Sequence, residues 1–136
     1  METIQLEITI LKPLETTWNA YTDTEEIKKW FRPTDDWECS KAEHDFRVDG
    51  HFLYQIEHKG DYTREFEGIF TEIKPQRKIS LRLTDGREAV TTMRQADPST
   101  TVINTEFQPD PRNMRSMEYD TWYGLLYHLQ KYLEEN

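Results

Sequence analysis

The sequence has a single cysteine, Cys39, among its 136 residues. One cysteine cannot form a disulfide within the chain, and a low cysteine content is usual in reducing compartments. No apolar run approaches the roughly 18 residues that a membrane-spanning helix requires, and no basic segment followed by an apolar one stands near Met1. These absences predict a cytoplasmic protein without a membrane partner.

Motifs for common catalytic and metal sites are also missing. Serine is scarce and never lies within G-x-S-x-G, and neither H-x-H nor H-E-x-x-H is present. His44, His51 and His58 recur at intervals of seven, which places neighbours on opposite faces of a continuous strand. His128 is interpreted as a histidine at the edge of a packed helix face rather than a catalytic base. The sequence therefore predicts no catalytic residue, no metal site and no cofactor.

Basic residues are too few to balance the acidic ones. The chain has 17 Lys and Arg against 26 Asp and Glu, a formal net charge of −9. Such a field repels phosphate backbones, so we expect no nucleic-acid partner. Acidic residues are concentrated between Glu15 and Asp45. A solvated face is the simpler interpretation of this segment, and a docking surface for a basic partner is the alternative.

Aromatic side chains are abundant by contrast. Four Trp, seven Tyr and six Phe supplement a modest content of aliphatic residues. Each aromatic side chain can bury roughly 150 to 250 Å² of surface. At this length the chain is expected to form one core, so residues 1–136 are predicted to be a single domain.

Hydrophobic periodicity predicts strands and helices in an α+β order. Apolar residues alternate from Ile4 to Ile10, which indicates a half-buried strand. Pro13 is suited to open a short helix, and a second short helix is predicted from Thr22 or Asp23 until Pro33. The polar residues 34–45 are interpreted as a loop leading into a strand.

The remainder of the chain is predicted to be antiparallel sheet followed by one long helix. Alternating segments extend from Phe52 to Phe107, with a bulge or bend at Gly68 and a two-residue hairpin turn with positive φ at Asp85-Gly86. The final helix carries a broad apolar stripe, formed by Trp122, Leu125, Leu126, Leu129, Tyr132 and Leu133. The predicted fold is a curved antiparallel sheet of about six strands covered by this helix.

Several short motifs strengthen this interpretation through their order and spacing. They are W-x-A-x-T-D at Trp18–Asp23 with Trp30-Phe31, the turn Asp45–Gly50, Phe66-Glu67-Gly68, Glu72–Pro75, and Trp122 with Leu126, Leu129 and Leu133. Together they resemble the START-like, or SRPBCC, superfamily, and within it the branch of homologues of the activator of the ninety-kilodalton heat-shock-protein ATPase. The resemblance implies a helix-grip fold, in which a curved sheet is wrapped around the C-terminal helix.

Two positions depart from the pattern of that branch. Asp49 stands where the first of two glycines is usual, and an aspartate tolerates left-handed backbone better than most residues. Thr121 stands where a glycine usually precedes the tryptophan, and its side chain is expected to narrow a cavity at that point.

The resemblance implies three functions, which the residues leave open. The first is a non-enzymatic domain that binds a small apolar or amphipathic ligand between the sheet and the final helix, in a pocket above roughly 300 Å³. The second is a chaperone co-factor that binds protein, and for either function the chain is expected to be a monomer or homodimer. The third is a cavity enzyme of the cyclase, dehydratase or hydrolase type, with Glu65, Glu67 or Glu106 as candidate acid–base groups by strand position.

The first function is preferred because aromatic residues exceed the needs of a small core. The candidate ligand-binding residues are Trp30, Phe31, Phe52, Tyr54, Phe70, Met93, Trp122 and Leu126. Polar groups for an amphipathic ligand would come from Tyr54, Arg82 or Arg94.

Overall fold

Alternating burial along the first strand shows how the sheet is oriented. Ile4, Leu6, Ile8 and Ile10 are buried, while the residues between them are exposed. In a strand, side chains point to opposite faces in turn, so one face of the sheet forms the core and the other meets solvent. These are called the inner and the outer face below.

A computed structural model describes residues 2–135 of the chain. Its elements are β1 (Ile4–Ile10), α1 (Leu14–Thr22), α2 (Thr24–Trp30), β2 (Trp37–His44), β3 (His51–His58), β4 (Tyr62–Lys74), β5 (Lys78–Leu83), β6 (Glu88–Asp97), β7 (Thr100–Phe107) and α3 (Arg115–Glu134).

The strands form one curled antiparallel sheet in the order β1-β7-β6-β5-β4-β3-β2. Strands β2 to β7 follow one another as a meander, and β1 closes the far edge beside β7. The predicted α+β helix-grip fold is confirmed, with two short helices after the first strand and a long helix at the end.

The helices begin where the sequence predicted. Pro13 precedes α1, and the Asp23 carboxylate accepts a hydrogen bond from the Glu25 backbone N–H at 2.8 Å, which caps α2. Helix α3 buries Leu126, Leu129 and Leu133 in the core formed by the inner face. No helix within residues 2–135 is long and apolar enough to cross a membrane.

The interpretation of residues 34–45 as a loop was wrong for most of that segment. Trp37–His44 forms β2, which pairs with β3 alone at the edge of the sheet. Only Cys39 in this strand is buried, and a register shift between Cys39 and Lys41 interrupts its alternation, so its sequence resembles a loop. Because of this additional strand, the sheet within residues 2–135 has seven strands, whereas about six were predicted.

The turn at Asp85-Gly86 is longer than predicted. The Leu83 backbone N–H donates to the Arg87 carbonyl, and the Gly86 N–H donates to the Leu83 carbonyl, so three residues connect the paired positions. Gly86 has φ +94°, which confirms the positive φ. A three-residue hairpin with glycine in the left-handed position replaces the two-residue turn.

The irregularity in β4 lies beyond Gly68. The register between β4 and β5 shifts between Phe70 and Glu72. Gly68 instead allows close approach of the backbones, because a Cβ there would lie 2.1 Å from the Arg82 carbonyl oxygen. At Asp49 the backbone has φ 68°, so the aspartate adopts the left-handed conformation expected of that turn.

Candidate functional site

An apolar cavity of about 70 Å³ lies between the inner face of the sheet and the helices α2 and α3. Seven of the eight predicted ligand-binding residues line it: Trp30, Phe31, Phe52, Tyr54, Phe70, Trp122 and Leu126. Met93 is buried in the core on β6 but is not part of the lining. The structure thus brings most of the predicted set together, and their binding of a ligand stays a prediction.

The register of β3 and β4 explains why the lining is aromatic. Tyr54 lies opposite Phe66, and Phe52 lies opposite Gly68, so the side chains of Phe52, Tyr54 and Phe66 share the inner face. Phe31, just after α2, packs its ring 5.2 Å from the rings of both Tyr54 and Phe66. Aromatic rings from β3, β4 and the residue after α2 therefore pack together in tilted and edge-to-face contacts.

His44 and Tyr54 form the polar centre of the cavity. The His44 Nδ1 and the Tyr54 hydroxyl oxygen are 2.6 Å apart. Burial lowers the pKa of His44 and strongly raises the pKa of Tyr54. The pair is therefore uncharged at neutral pH, and the imidazole tautomer sets which partner donates the hydrogen bond.

A second set of hydroxyl groups lies near the cavity. The Tyr21 hydroxyl is 3.1 Å from Thr91 Oγ1, which is 3.0 Å from Thr105 Oγ1. Tyr21 and Thr105 both contribute to the lining. Burial raises the pKa of Tyr21, so this chain is also neutral. The interior accordingly offers uncharged hydrogen-bonding groups on an apolar wall.

Two of the three predicted polar contributors lie outside the cavity. Leu81 and Leu83 line it from β5, and Arg82 between them is exposed and contributes nothing to the lining. Arg94 follows buried Met93 on β6 and is likewise exposed. Because side chains alternate between the two faces of a strand, both arginines point away from the face that carries their buried neighbours. Of the three predicted polar contributors, only Tyr54 lines the cavity.

The carboxylates considered for acid–base chemistry lie away from the cavity. Glu65 accepts a hydrogen bond from Gln55 Nε2, and Glu67 lies 2.8 Å from His51 Nε2. Glu106 is exposed on β7. None of these three belongs to the lining of the cavity, so the acid–base role suggested by their strand positions has no geometric support.

The histidines separate into different environments. His44 lines the cavity, whereas His51 is exposed beside Glu67. His58 packs against Trp37 and Tyr62 near the β3–β4 turn. His128 joins α3 to the loop after α2, with Nε2 3.0 Å from Asp35 Oδ1. Across residues 2–135, no group of His, Cys, Asp and Glu side chains is arranged to hold a metal ion.

Sequence reasoning missed several lining residues. Among them are Tyr21, His44, Phe46, Phe66, Leu81, Leu83 and Thr105. Phe66 was detectable in principle, because a tight β3–β4 hairpin sets Tyr54 opposite it. Thr121, which was expected to narrow the cavity, does not line it.

A curled antiparallel sheet closed by a C-terminal helix, with an apolar cavity between them, defines the helix-grip class of START-like proteins. The chain belongs to the family described as Activator of Hsp90 ATPase homolog 1-like protein, which it matches over residues 12–134. This confirms the superfamily and the branch that the motifs indicated. No curated protein matches the sequence.

Solved structures show the same architecture. An AHSA1-like protein from Aeromonas hydrophila is 24% identical, with a TM-score of 0.91 over 98% of this chain and 93% of that one. A protein from Cytophaga hutchinsonii is 24% identical, with a TM-score of 0.81 over 98% and 93%. A protein from Chromobacterium violaceum is 22% identical, with a TM-score of 0.83 over 96% of each chain. At these identities the likeness demonstrates the fold alone.

Proposed function

We propose that this protein is a cytoplasmic binding domain for a small apolar or amphipathic molecule held between the sheet and α3. The observation that carries the proposal is the aromatic cavity with the hydrogen-bonded His44–Tyr54 pair in its lining. An apolar wall with a few placed polar groups is the usual composition of small-molecule sites. The cytoplasmic location rests on the lone cysteine.

The size of the cavity limits what can enter without rearrangement. Its volume is about 70 Å³, so the prediction of a pocket above roughly 300 Å³, the low end for a small-molecule site, was wrong. A bound molecule must therefore displace side chains or extend beyond the cavity. Phe31 and Trp122 are among the lining residues that are only partly buried, so their rings are less confined than those of fully buried residues.

A pair of matched substitutions tests this proposal. Leu81→Phe adds volume to the lining, whereas Ile69→Phe makes a comparable change on β4 outside it. Titration with Nile red, a neutral dye whose fluorescence rises in apolar surroundings, should show one site in the unsubstituted protein. We expect Leu81→Phe to raise the dissociation constant of the dye about tenfold. Ile69→Phe should leave this constant unchanged. Equal effects of the two substitutions would contradict a site in the cavity.

A second function is supported by the family itself, whose description names an activator of the Hsp90 ATPase. In this alternative the protein binds the chaperone through the acidic surface of α1 and α2, where Glu15 and Glu25 are exposed. Exposed charges increase the rate at which charged partners associate. Their contribution to the association rate should therefore decrease as the salt concentration rises.

Purified Hsp90 provides the test of this alternative. The ATPase rate of Hsp90 should rise on addition of this protein, and the double variant Glu15→Lys with Glu25→Lys should reduce the increase. Glu106→Lys, an exposed charge reversal on β7, is the matched control. An unchanged ATPase rate, or equal loss with the control, would contradict the alternative.

A further inference from the structure

A polar groove adjoins the apolar cavity at the first turns of α3. Its volume is about 470 Å³, and Arg64, Arg112, Asn113, Glu118 and Thr121 contribute to its wall. Thr121 precedes Trp122, which lines the cavity, and the Arg64 guanidinium carbon lies 5.7 Å from the centre of the Phe66 ring, which also lines it. The two spaces are therefore separated by the thickness of a few side chains.

Arg64 is placed on the inner face of the sheet. It lies opposite Ile56, one inward-facing pair beyond Tyr54 and Phe66, and Ile56 is fully buried. Its guanidinium also lies 6.0 Å from the centre of the Trp37 ring. The position combines a fixed positive charge with aromatic surfaces at the edge of the cavity.

The charge of Arg64 is not neutralised by the protein. Within residues 2–135 it forms no ion pair with a carboxylate, although the net charge of the chain is −9. Ten other Lys and Arg residues do form such pairs: Lys28, Arg32, Lys41, Arg47, Lys59, Lys74, Lys78, Arg87, Arg112 and Arg115. Lys29, Arg77, Arg82 and Arg94 also lack an ion pair within residues 2–135, so what distinguishes Arg64 is its place beside the rings of Trp37 and Phe66, where it is available to an anion from outside.

The two carboxylates of the groove are already engaged. Asp110 accepts hydrogen bonds from the Arg112 guanidinium, at 2.7 Å for the shortest. Glu118 accepts from the Asp110 backbone N–H at 2.9 Å and from Asn113 Nδ2 at 2.8 Å, and it lies 3.4 Å from an Arg87 nitrogen. Arg87 also pairs with Asp85 at 2.8 Å, so the charge of Asp110 is balanced by Arg112 and that of Glu118 only in part, which reduces their repulsion of an anion beside Arg64.

We infer that the ligand of this cavity is an anionic amphipath whose carboxylate, or similar head group, binds Arg64 while its apolar end enters between Phe66 and Trp122. This inference rests on the proposed function of the cavity. It also accommodates the small cavity volume, because only the apolar end of such a ligand needs to be enclosed while its head remains in the groove.

Octanoate and 1-octanol form a probe pair with the same chain length and different heads. Both are titrated into isotopically labelled protein, and dissociation constants are taken from amide chemical shifts. Arg64 is exposed, so we expect octanoate to bind about fivefold more tightly than octanol, near the upper limit for an exposed ion pair. Arg64→Gln should remove this preference and leave octanol binding unchanged. Arg82→Gln, on an exposed arginine outside the cavity, should preserve it.

The outcomes separate this inference from the proposed function. Equal binding of both probes, or an octanoate preference that survives Arg64→Gln, would overturn the assignment of Arg64 and leave the cavity as a binding site. Binding of neither probe would contradict the proposed function, and the inference with it. A preference lost equally in Arg64→Gln and Arg82→Gln would show a general effect of charge and would also overturn the assignment.

Discussion

Burial controls the chemistry of the lone cysteine. Cys39 lies on β2, 8% exposed, and burial raises its pKa to about 11. Since the thiolate is the reactive form, folding should suppress its reaction with electrophiles. At mildly alkaline pH we expect alkylation of the native protein by iodoacetamide to be about 100-fold slower than that of the urea-unfolded chain. Comparable rates in the two states would show that Cys39 is accessible and ionised.

Side-chain direction at single residues also decided how far the site could be predicted. Phe52, Tyr54 and Phe70 were chosen for their size and line the cavity, but Met93 was chosen on the same grounds and lies outside it. Size and polarity predict that a side chain is buried. Which buried side chains border a cavity depends on how closely the opposite elements pack against each of them.

The approach of α3 to the rest of the molecule depends on Gly124. A Cβ at this position would lie 2.0 Å from the Pro33 carbonyl oxygen, a backbone atom that cannot easily move. Helix propensity alone would favour Gly124→Ala by about 1 kcal/mol. We expect the steric effect to dominate and the substitution to lower the free energy of unfolding by roughly 1 to 3 kcal/mol, measured by urea denaturation.

Thr121→Ala is the control for this prediction. Thr121 lies on the same helix, is only partly buried, and donates its hydroxyl to the Met117 carbonyl at 3.0 Å. Its replacement changes helix propensity without introducing a clash, so we expect a gain of a few tenths of a kcal/mol. If Gly124→Ala stabilised the protein as well, the close contact with Pro33 would not exist in solution.

Trp122 attaches α3 to the sheet. Its ring stacks on that of Phe107 at a centroid distance of 4.3 Å, and it is partly buried against the core. Trp122→Ala should therefore lower the free energy of unfolding by about 3 kcal/mol, near the lower end for a large core side chain. Tyr119→Ala, 43% exposed on the same helix, should have little effect. A urea midpoint unchanged by Trp122→Ala would contradict the stacking contact.

At the scale of the whole molecule, paired carboxylates determine how stability responds to acid. Hydrogen bonds from the Arg112 guanidinium hold the pKa of Asp110 well below its usual value, and a hydrogen bond from Lys78 lowers the pKa of Glu72. A group with a lowered folded pKa stabilises the protein above its unfolded pKa, and this contribution is lost as the pH falls through the folded pKa. We expect the urea midpoint to fall steadily on acidification below about pH 4.

Arg112→Gln provides the corresponding comparison. Without the guanidinium, the pKa of Asp110 should return toward its usual value, so the variant should be less stable than the parent near neutral pH. The difference should shrink as acid protonates Asp110 in both proteins. A difference independent of pH would assign the effect of Arg112 to packing instead.

The order of elements was accessible from the sequence because it follows from local properties. Alternation in Ile4–Ile10, the proline before α1 and the stripe of Leu126, Leu129 and Leu133 each express a period or a backbone restriction within a few residues. Strand β2 was missed because only Cys39 in it is buried and a register shift between Cys39 and Lys41 interrupts its alternation, whereas the other edge strand, β1, alternates regularly.

The sequence by itself therefore determined the α+β order, the family motifs and the acidic, aromatic-rich composition. Only the tertiary structure decided that His44 lies within hydrogen-bond distance of Tyr54, that Arg64 lies beside Phe66 without an ion pair to any residue from 2 to 135, and that the cavity volume is about 70 Å³. Each of these depends on contacts between segments distant in the chain and on how tightly they pack. Such contacts arise from strand register and from the position of α3, which are properties of the assembled fold.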